Sequence, residues 1–249
     1  MLFFFKEKPL VVDAFCPEAM IHAYELAPID YSYKFYPEWW KKLEKLEFNW
    51  DRMRSNVNMK YCVGMMNEYQ NSLMIPLWSD LAIKWSKVPN QNEEWRYQYS
   101  DNVSSVSTHP SPQRGDFKRD HFHAKIQSPW MLKSKKGVLF QWKDPYYNFN
   151  KQLNYDVLPG TLEFYNQHAT HINLLLKPEV GQQVFIEFGT PMVHLRALSE
   201  RKIVLKRHLI SNAEHKKMET SFTMRPTFAK SYSIVKNKKE KKCPFGFGK

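Results

Sequence analysis

The feature that most limits the folds open to this chain is an alternation of apolar and polar residues with a period of two. From Leu73 to Trp85 the odd positions are apolar apart from Ser79, whereas Asp80 and Lys84 stand at even positions. Successive side chains of a β-strand point to opposite faces of a sheet, so a run of this kind places one face against a core. The segment is therefore predicted to form one strand, or two joined strands.

Similar patterns predict several further short strands. Some alternate in the same way, others are rich in β-branched residues, and Pro, Asn and Gly separate them. They cover residues 10–15, 95–99, 137–142, 171–177, 183–188, 192–198 and 202–209. Many short strands separated by turn residues are typical of a sandwich or a barrel. We therefore expect a mainly β fold, a sandwich or barrel-like domain with one or two helices.

The clearest helix is predicted near residues 37–47, from Tyr36 onwards. Pro37 stands where a first-turn proline is tolerated, because its missing N–H would be unpaired there in any case. A helical period of 3.6 then gathers four apolar side chains on one face, with the charges mostly opposite. These are Trp39, Trp40, Leu43 and Leu46.

The composition predicts a folded domain in a reducing compartment. Of the 249 residues, 43% are hydrophobic and 15% aromatic, enough for one large core over residues 1–210. The three cysteines are far apart and form no CxxC pair. The apolar run at residues 1–5 is too short for a signal peptide, and no apolar run reaches the roughly 18 residues of a membrane span. We expect a cytoplasmic protein that does not associate with membranes.

The net positive charge is concentrated at one end of the chain. Residues 1–200 carry 23 Lys or Arg and 22 Asp or Glu, whereas residues 201–249 carry 14 Lys or Arg and three Glu. Residues 211–249 are therefore predicted to form a basic, partly flexible extension that contacts an anionic partner, either nucleic acid or an acidic protein surface. An extension that only improves solubility is the alternative. The candidate contacts are Lys236, Lys238, Lys239, Lys241 and Lys242.

Several familiar catalytic motifs are missing from the sequence. It contains no P-loop and no GxGxxG, which phosphate- and dinucleotide-binding enzymes use. It also contains neither the GxSxG of serine hydrolases nor the HExxH of zinc proteases. These absences favour a protein without a common catalytic site.

Two pairs of histidines are candidate metal ligands. His121 and His123 flank one residue, so on a strand both side chains would face the same way, and His168 and His171 are three residues apart. Four neutral imidazoles would hold Zn²⁺, Fe²⁺ or Ni²⁺. His-x-His also opens the cupin metal pattern, although the glutamate expected a few residues later is absent here. Structural histidines without a metal are the alternative, and the cofactor is left unknown.

A second candidate site lies on the predicted strand 192–198. His194 and Arg196 share one face of that strand. They are predicted to bind a carboxylate or phosphate, because the guanidinium supplies two parallel hydrogen-bond donors. The alternative is a pair of polar side chains facing solvent.

Seven short motifs occur here in an order that resembles a known protein family. They are PEWWKKL at 37–43, MIPLWSD at 74–80, SPW at 128–130, GVLF at 137–140, YNFN at 147–150, LPG at 158–160 and Gly-Thr-Pro at 189–191. The family is a domain of unknown function common in tailed bacteriophages, especially marine ones, and present in some bacteria. The resemblance covers about residues 35–200 and implies a phage origin without implying an activity.

A second likeness is to the β-clip proteins, which include the dUTPases. In these enzymes a GxxD stretch supplies a base-like aspartate and a tyrosine stacks on the nucleobase. The similar stretch here is 160–165, which places Glu163 at the aspartate position and Tyr165 one residue early. The Arg-Ser-Gly motif that holds the phosphates has no counterpart at 133–137. The likeness implies a β-clip fold and names Glu163 and Tyr165 as candidate ligand-binding residues.

These observations lead to two hypotheses for the function. The first is a phage-encoded, non-enzymatic binding or assembly protein, acting in the virion or in host takeover, with a basic tail for its anionic partner. Such a protein is expected in the cytoplasm of the infected cell or in the virion, as a homo-oligomer or bound to virion proteins. The second is a small β-barrel enzyme, either a cupin-type oxygenase with a histidine-bound metal or a nucleotide-acting β-clip enzyme.

Overall fold

The computed structural model describes residues 8–44, 46–49, 53–87, 95–100, 106–109, 115, 117–118, 120–148, 155–165, 169–177 and 183–223. Their fold is mainly β, as predicted, and the described strands form open sheets rather than a closed barrel. In the same part of the chain, no helix has the length and apolarity needed to span a membrane.

The strands are short and follow one another closely along the chain. In order they are β1 Leu10–Pro17, β2 Asp30–Tyr31, β3 Leu46–Asn49, β4 Arg54–Val57, β5 Ser72–Pro76, β6 Leu81–Lys87, β7 Trp95–Ser100, β8 Val106–Thr108, β9 Phe122–Ile126, β10 Met131–Ser134, β11 Phe140–Lys143, β12 Tyr155–Val157, β13 Gly160–Leu162, β14 Ile172–Leu176, β15 Gln183–Ile186, β16 Pro191–Ala197 and β17 Ile203–Ile210. The α-helices of the described residues are α1 Ile21–Leu26, α2 Glu38–Lys42, α3 Val63–Tyr69 and α4 Asn212–Thr223.

The strands pair into five sheets. Their orders are β13-β11-β16-β5-β2, β12-β14-β9-β8, β10-β1-β17, β15-β6-β7 and β3-β4. In the third of these, β1 is antiparallel to β10 and parallel to β17, with Leu10 beside Ile203. A strand near the start of the chain is thus paired with one near residue 210.

The five-stranded sheet places one face in the main core and leaves a polar face on the other side. On the core face, Trp142 of β11 pairs with Leu195 of β16, which pairs with Leu73 of β5, and all three are buried. The alternate residues of β11, Gln141 and Lys143, point the other way. We call this second side the polar sheet face; it carries the candidate site described below.

A smaller aromatic cluster covers part of the polar sheet face. Met65 and Tyr69 of α3 are buried there against Met74 of β5. The partly buried rings packed around them are Phe35, Tyr36, Trp39, Trp40 and Tyr147. These tryptophans lie on the helix α2, which is shorter than predicted.

The difference in α2 has a local backbone cause. Pro37 is its N-cap, and Leu43 already has extended backbone angles, φ −60° and ψ 135°, so the helix ends at Lys42. Residues 46–49 then pair as β3 with β4 instead of continuing a helix. Local helical periodicity could not reveal this strand pairing, because it depends on a segment that follows later in the chain.

The start of the predicted basic extension is helical and contacts the β body. The Asn212 side chain at the start of α4 accepts a hydrogen bond from the Ala19 backbone N–H at 3.0 Å. His215 Nε2 lies 3.1 Å from the Pro129 carbonyl oxygen. The remainder of the extension, from residue 224, lies outside the described residues.

Candidate binding site on the polar sheet face

Neighbouring strands bring five polar side chains together on the polar sheet face. The register places Lys143 of β11 beside His194 of β16, and Gln141 of β11 beside Arg196 of β16. Arg196 in turn pairs with Ser72 of β5. The alternation of each strand therefore builds a row of polar groups across the middle of the sheet.

The carboxylate of Glu68 lies at the centre of this row. Glu68 belongs to α3, which packs over the sheet, and it forms an ion pair with Lys143 of the neighbouring strand. Its other oxygen, Oε1, accepts a hydrogen bond from Arg196 at 3.0 Å. Burial opposes ionisation of this carboxyl, but the hydrogen bond and charge of Lys143, with the charge of Arg196, hold its pKa below the ordinary value. Glu68 is thus an ionised carboxylate held by two cationic side chains.

His194 is buried and electrically neutral. It is 4% exposed, and burial together with the charge of Lys143 lowers its pKa to about 4, although Glu68 acts in the opposite direction. The Ser72 hydroxyl donates to the Glu68 backbone oxygen at 2.7 Å, which uses its one proton. The 2.9 Å contact between His194 Nε2 and Ser72 Oγ therefore has the imidazole N–H as its donor. The Nδ1 atom is left without a proton, 3.6 Å from Glu68 Oε2.

The succession of serine, histidine and glutamate invites comparison with a hydrolytic triad. In such a triad the serine oxygen is open to substrate and gives its proton to the imidazole. Ser72 is fully buried and donates to a backbone carbonyl instead. These three residues therefore fasten α3 to the sheet and do not present a nucleophile.

Two clefts open on the polar sheet face, one on each side of the Glu68–Arg196 pair. The smaller, about 240 Å³, lies between β11 and the aromatic cluster, and its walls include Lys143, Tyr147 and His194. The larger, about 870 Å³, is lined by Arg196 and the residues that follow β16. The site is therefore already formed as open space beside a fixed polar row.

Most of the shifted ionisable groups of the smaller cleft are poorly matched to proton transfer near pH 7. A general acid or base works best when its pKa lies near the working pH. His194 and Glu68 have lowered pKa values, and burial raises the pKa of Tyr69 above its ordinary range. Burial raises the pKa of Asp144 above the ordinary value of a carboxyl, and this is the one of the four shifts that is directed towards pH 7. His194, Glu68 and Tyr69 are therefore poorly suited to acid–base chemistry at that pH.

The structure brings His194 and Arg196 together as predicted, but their partner belongs to the same chain. Sequence reasoning expected an external carboxylate or phosphate, and the structure shows the carboxylate of Glu68 in that position. His194 is also buried, so it does not face solvent. Lys143 could have been recognised from the alternation that buries Trp142, whereas the seven-residue helix that carries Glu68 gave no such signal.

The proposed metal ligands are spread along the sheet. Antiparallel pairing of β9 with β14 places His123 beside Leu175, so His171, four residues from Leu175, is roughly 13 Å further along. His121 lies just before β9, at the opposite end of the pair from His171, and His168 lies outside the described residues. In the part of the chain that the structure describes, no three His, Cys, Asp or Glu residues are grouped closely enough to hold a metal ion.

Glu163 lies beside a turn, and Tyr165 follows it as a half-buried residue. The Glu163 carboxylate accepts a hydrogen bond at 2.6 Å from the backbone N–H of Gly137. Gly137 has φ +79°, a left-handed conformation that glycine adopts at little cost. Glu163 therefore has a local structural role in holding this turn. The five lysines of the proposed anionic contact, residues 236–242, lie outside the described residues.

Comparisons with protein-family models, with curated proteins and with solved structures find no match for this chain.

Proposed function

We propose that this chain is a phage-encoded binding or assembly protein that carries out no chemical step, and that its basic end contacts an anionic partner. The phage origin rests on the motif resemblance between residues 35 and 200. Its place of action is the infected cell or the virion. The absence of a chemical step is supported by the full burial of Ser72 and by the lowered pKa values of His194 and Glu68.

The observation that carries the anionic contact is the position of the basic charge. The edge strand β17 and the helix α4 expose five basic side chains: Lys202 just before β17, Lys206, Arg207, Lys216 and Lys217. Between residues 200 and 219 the exposed acidic residues are Glu200 and Glu214. The excess of basic side chains thus begins in β17 and α4 and continues along the sequence towards the lysine-rich end. A surface of one sign attracts a partner of the other and raises its association rate.

Nucleic acid is the partner to test first. Binding of a fluorescent single-stranded and a fluorescent double-stranded oligonucleotide would be measured by anisotropy over a range of salt concentrations. One variant replaces the five lysines of 236–242 with glutamine, and the matched control replaces them with arginine. Each lost phosphate contact should reduce the slope of log K against log salt by about 0.7–0.9.

We expect the glutamine variant to bind more weakly with a flatter salt dependence, and the arginine variant to bind like the wild type. A polyglutamate peptide that competes in the same assay would identify an acidic protein surface as the other partner of this region. Equal affinity and equal salt slope for the glutamine variant and the wild type would show that these lysines are not the contact.

A further inference from the structure

The larger cleft on the polar sheet face has the features of a separate binding site. It measures about 870 Å³ and lies beside α3, β11 and the turn that follows β16. Small-molecule sites in proteins usually occupy about 300–1,000 Å³. We call this cleft the amide groove, after the three carboxamide side chains described below.

The amide groove has almost no net charge. The guanidinium of Arg196 lines it but is already paired with Glu68 at 3.0 Å. The other charged residues of its lining, Glu200 and Lys202, have opposite signs. A site for a phosphate or carboxylate needs unpaired cationic donors directed at the ligand. The charge of this groove therefore suits a neutral ligand.

Three exposed carboxamides are among its hydrogen-bonding groups. Asn67 extends from α3, Gln70 directly follows that helix, and Gln141 extends from β11. Each carboxamide combines an acceptor oxygen with a two-proton donor. Asn71 differs, because its side chain donates to Arg201 and accepts from Ile203, and so it shapes the wall. Groups that donate and accept at once match ligands with neighbouring hydroxyls.

A tyrosine ring forms the edge of the amide groove. Tyr33 is 50% exposed and stacks on Tyr31, with ring centroids 5.5 Å apart and planes 13° from parallel. The Tyr31 hydroxyl accepts a hydrogen bond from the Leu205 N–H at 3.0 Å, which fixes the ring of Tyr31. Tyr33 thus presents a rigid, flat apolar surface at small cost in conformational entropy.

We propose that the amide groove binds a neutral oligosaccharide. Tyr33 packs against the apolar face of one sugar ring, and the carboxamides of Asn67, Gln70 and Gln141 bind its hydroxyl groups. An extended peptide would instead gain most of its affinity from backbone hydrogen bonds to an open strand edge. The groove borders the edge strand β17, but the N–H groups of Ile203 and Leu205 there are already bonded to Asn71 and to the Tyr31 hydroxyl. Its other polar groups are mainly side chains that stand on helix α3 and on a sheet face, which favours the sugar.

The test is a glycan array that carries neutral and acidic oligosaccharides, followed by calorimetry with the neutral glycan retained most strongly. Measurements use the full chain at 0.5 M salt, because binding of a neutral ligand should change little with ionic strength. We expect Tyr33→Ala and Gln141→Ala each to weaken binding about tenfold or more. Tyr33→Phe keeps the ring and should bind within about threefold of the wild type. Thermal unfolding confirms that each variant is folded.

Tyr146→Ala is the matched control, because Tyr146 is an exposed tyrosine that lines the smaller cleft instead. It should leave glycan affinity unchanged. The variant with five lysines replaced by glutamine should also keep glycan binding, which separates this proposal from the anionic contact. Three outcomes would overturn the proposal: retention of acidic glycans alone, retention of no glycan, or neutral-glycan binding that survives Tyr33→Ala.

Discussion

The carboxylate of Glu68 joins α3 to two strands of the five-stranded sheet. Lys143 and Arg196 lie on neighbouring strands, diagonal to each other in the register. Without the carboxylate between them, two like charges would share one partly buried surface, which destabilises a sheet. The side chains of Glu68 and Lys143 are only 22% and 28% exposed, so water replaces a lost contact poorly.

We expect Glu68→Gln to lower the free energy of unfolding by about 1–3 kcal/mol, because it leaves Lys143 and Arg196 without their counter-charge. Urea unfolding followed by circular dichroism measures the change. Asp156→Asn is the control, since Asp156 pairs with Lys177 while 52% exposed. An exposed pair of this kind contributes about 0.5 kcal/mol or less. Equal losses in the two variants would contradict the role given to Glu68.

The stability of the protein should fall as the pH drops below the ordinary pKa of histidine. The folded-state pKa of His194 is lowered from 6.5 to about 4, so the unfolded chain binds more protons between these values. The stability that neutral His194 contributes is fully present above pH 6.5. It is lost as the pH falls towards 4, and amounts to about 2–4 kcal/mol. His171 has a similar lowered pKa and acts in the same window.

Urea unfolding at intervals from pH 7 to pH 4 tests this expectation. His194→Asn should be less stable at pH 7, because a buried site is disturbed, but its stability should fall less steeply with decreasing pH. The slope, and not the absolute stability, is compared. A variant whose slope equals that of the wild type would show that His194 does not titrate as described.

At the scale of elements, the turn between β10 and β11 offers a matched pair of glycines. Gly137 has φ +79° and donates its N–H to Glu163, whereas Gly160 of β13 has ordinary backbone angles and open space where a Cβ would stand. Gly137→Ala should lower stability by about 1–2 kcal/mol, and Gly160→Ala should leave it nearly unchanged or raise it slightly. Thermal unfolding of both variants measures the difference. Similar melting temperatures would argue against strain at residue 137.

Nine of the seventeen described strands were predicted from the sequence, because their pattern is local. The predicted strands 10–15 and 202–209 correspond closely to β1 and β17, and the break within 73–85 corresponds to the turn between β5 and β6. The pairing of β1 with β17 was not predictable, because nothing in either strand specifies a partner so distant in sequence. The second half of the predicted helix failed for a different reason, because residues 46–49 pair as β3 with β4, which follows only a few residues later.

The candidate site was also only partly predictable, because the faces of single strands can be read from the sequence but their packing cannot. One strand's alternation is enough to place His194 and Arg196 on one face. Their contact with Lys143 depends on the register of β11 against β16, and their contact with Glu68 depends on the packing of a helix on that sheet. The amide groove combines residues from four separate segments of the chain, so only the assembled fold defines it.

At the scale of the whole molecule, β1 near residue 10 pairs along its length with β17 near residue 210. Arg201 supports it by donating to the backbone oxygens of Lys8 and Pro9 at 2.6 and 2.8 Å. Contacts between residues so distant in sequence slow folding, because the intervening chain must be ordered before they form. Because β17 contributes the buried Ile203, the stability of the core depends on a strand that directly precedes the basic extension.

A chain that ends after Ser199 should lose cooperative unfolding, because it lacks β17 and the buried Ile203. A chain that ends after Val235 keeps every described strand and helix. Differential scanning calorimetry of both chains measures this. We expect a single sharp transition for the longer chain and a broad or absent transition for the shorter one. A sharp transition in the shorter chain would mean that the rest of the body folds without β17.

The parallel pairing of β1 with β17 also has a consequence for biosynthesis. Residues joined by this pairing are 193 positions apart, as are Arg201 and Lys8. At a translation rate of about 5–20 residues per second, β1 leaves the ribosome roughly 10–40 s before its parallel partner has been made. During that interval one edge of β1 exposes unpaired backbone groups, a template for aggregation. Native folding is therefore completed only after synthesis of β17.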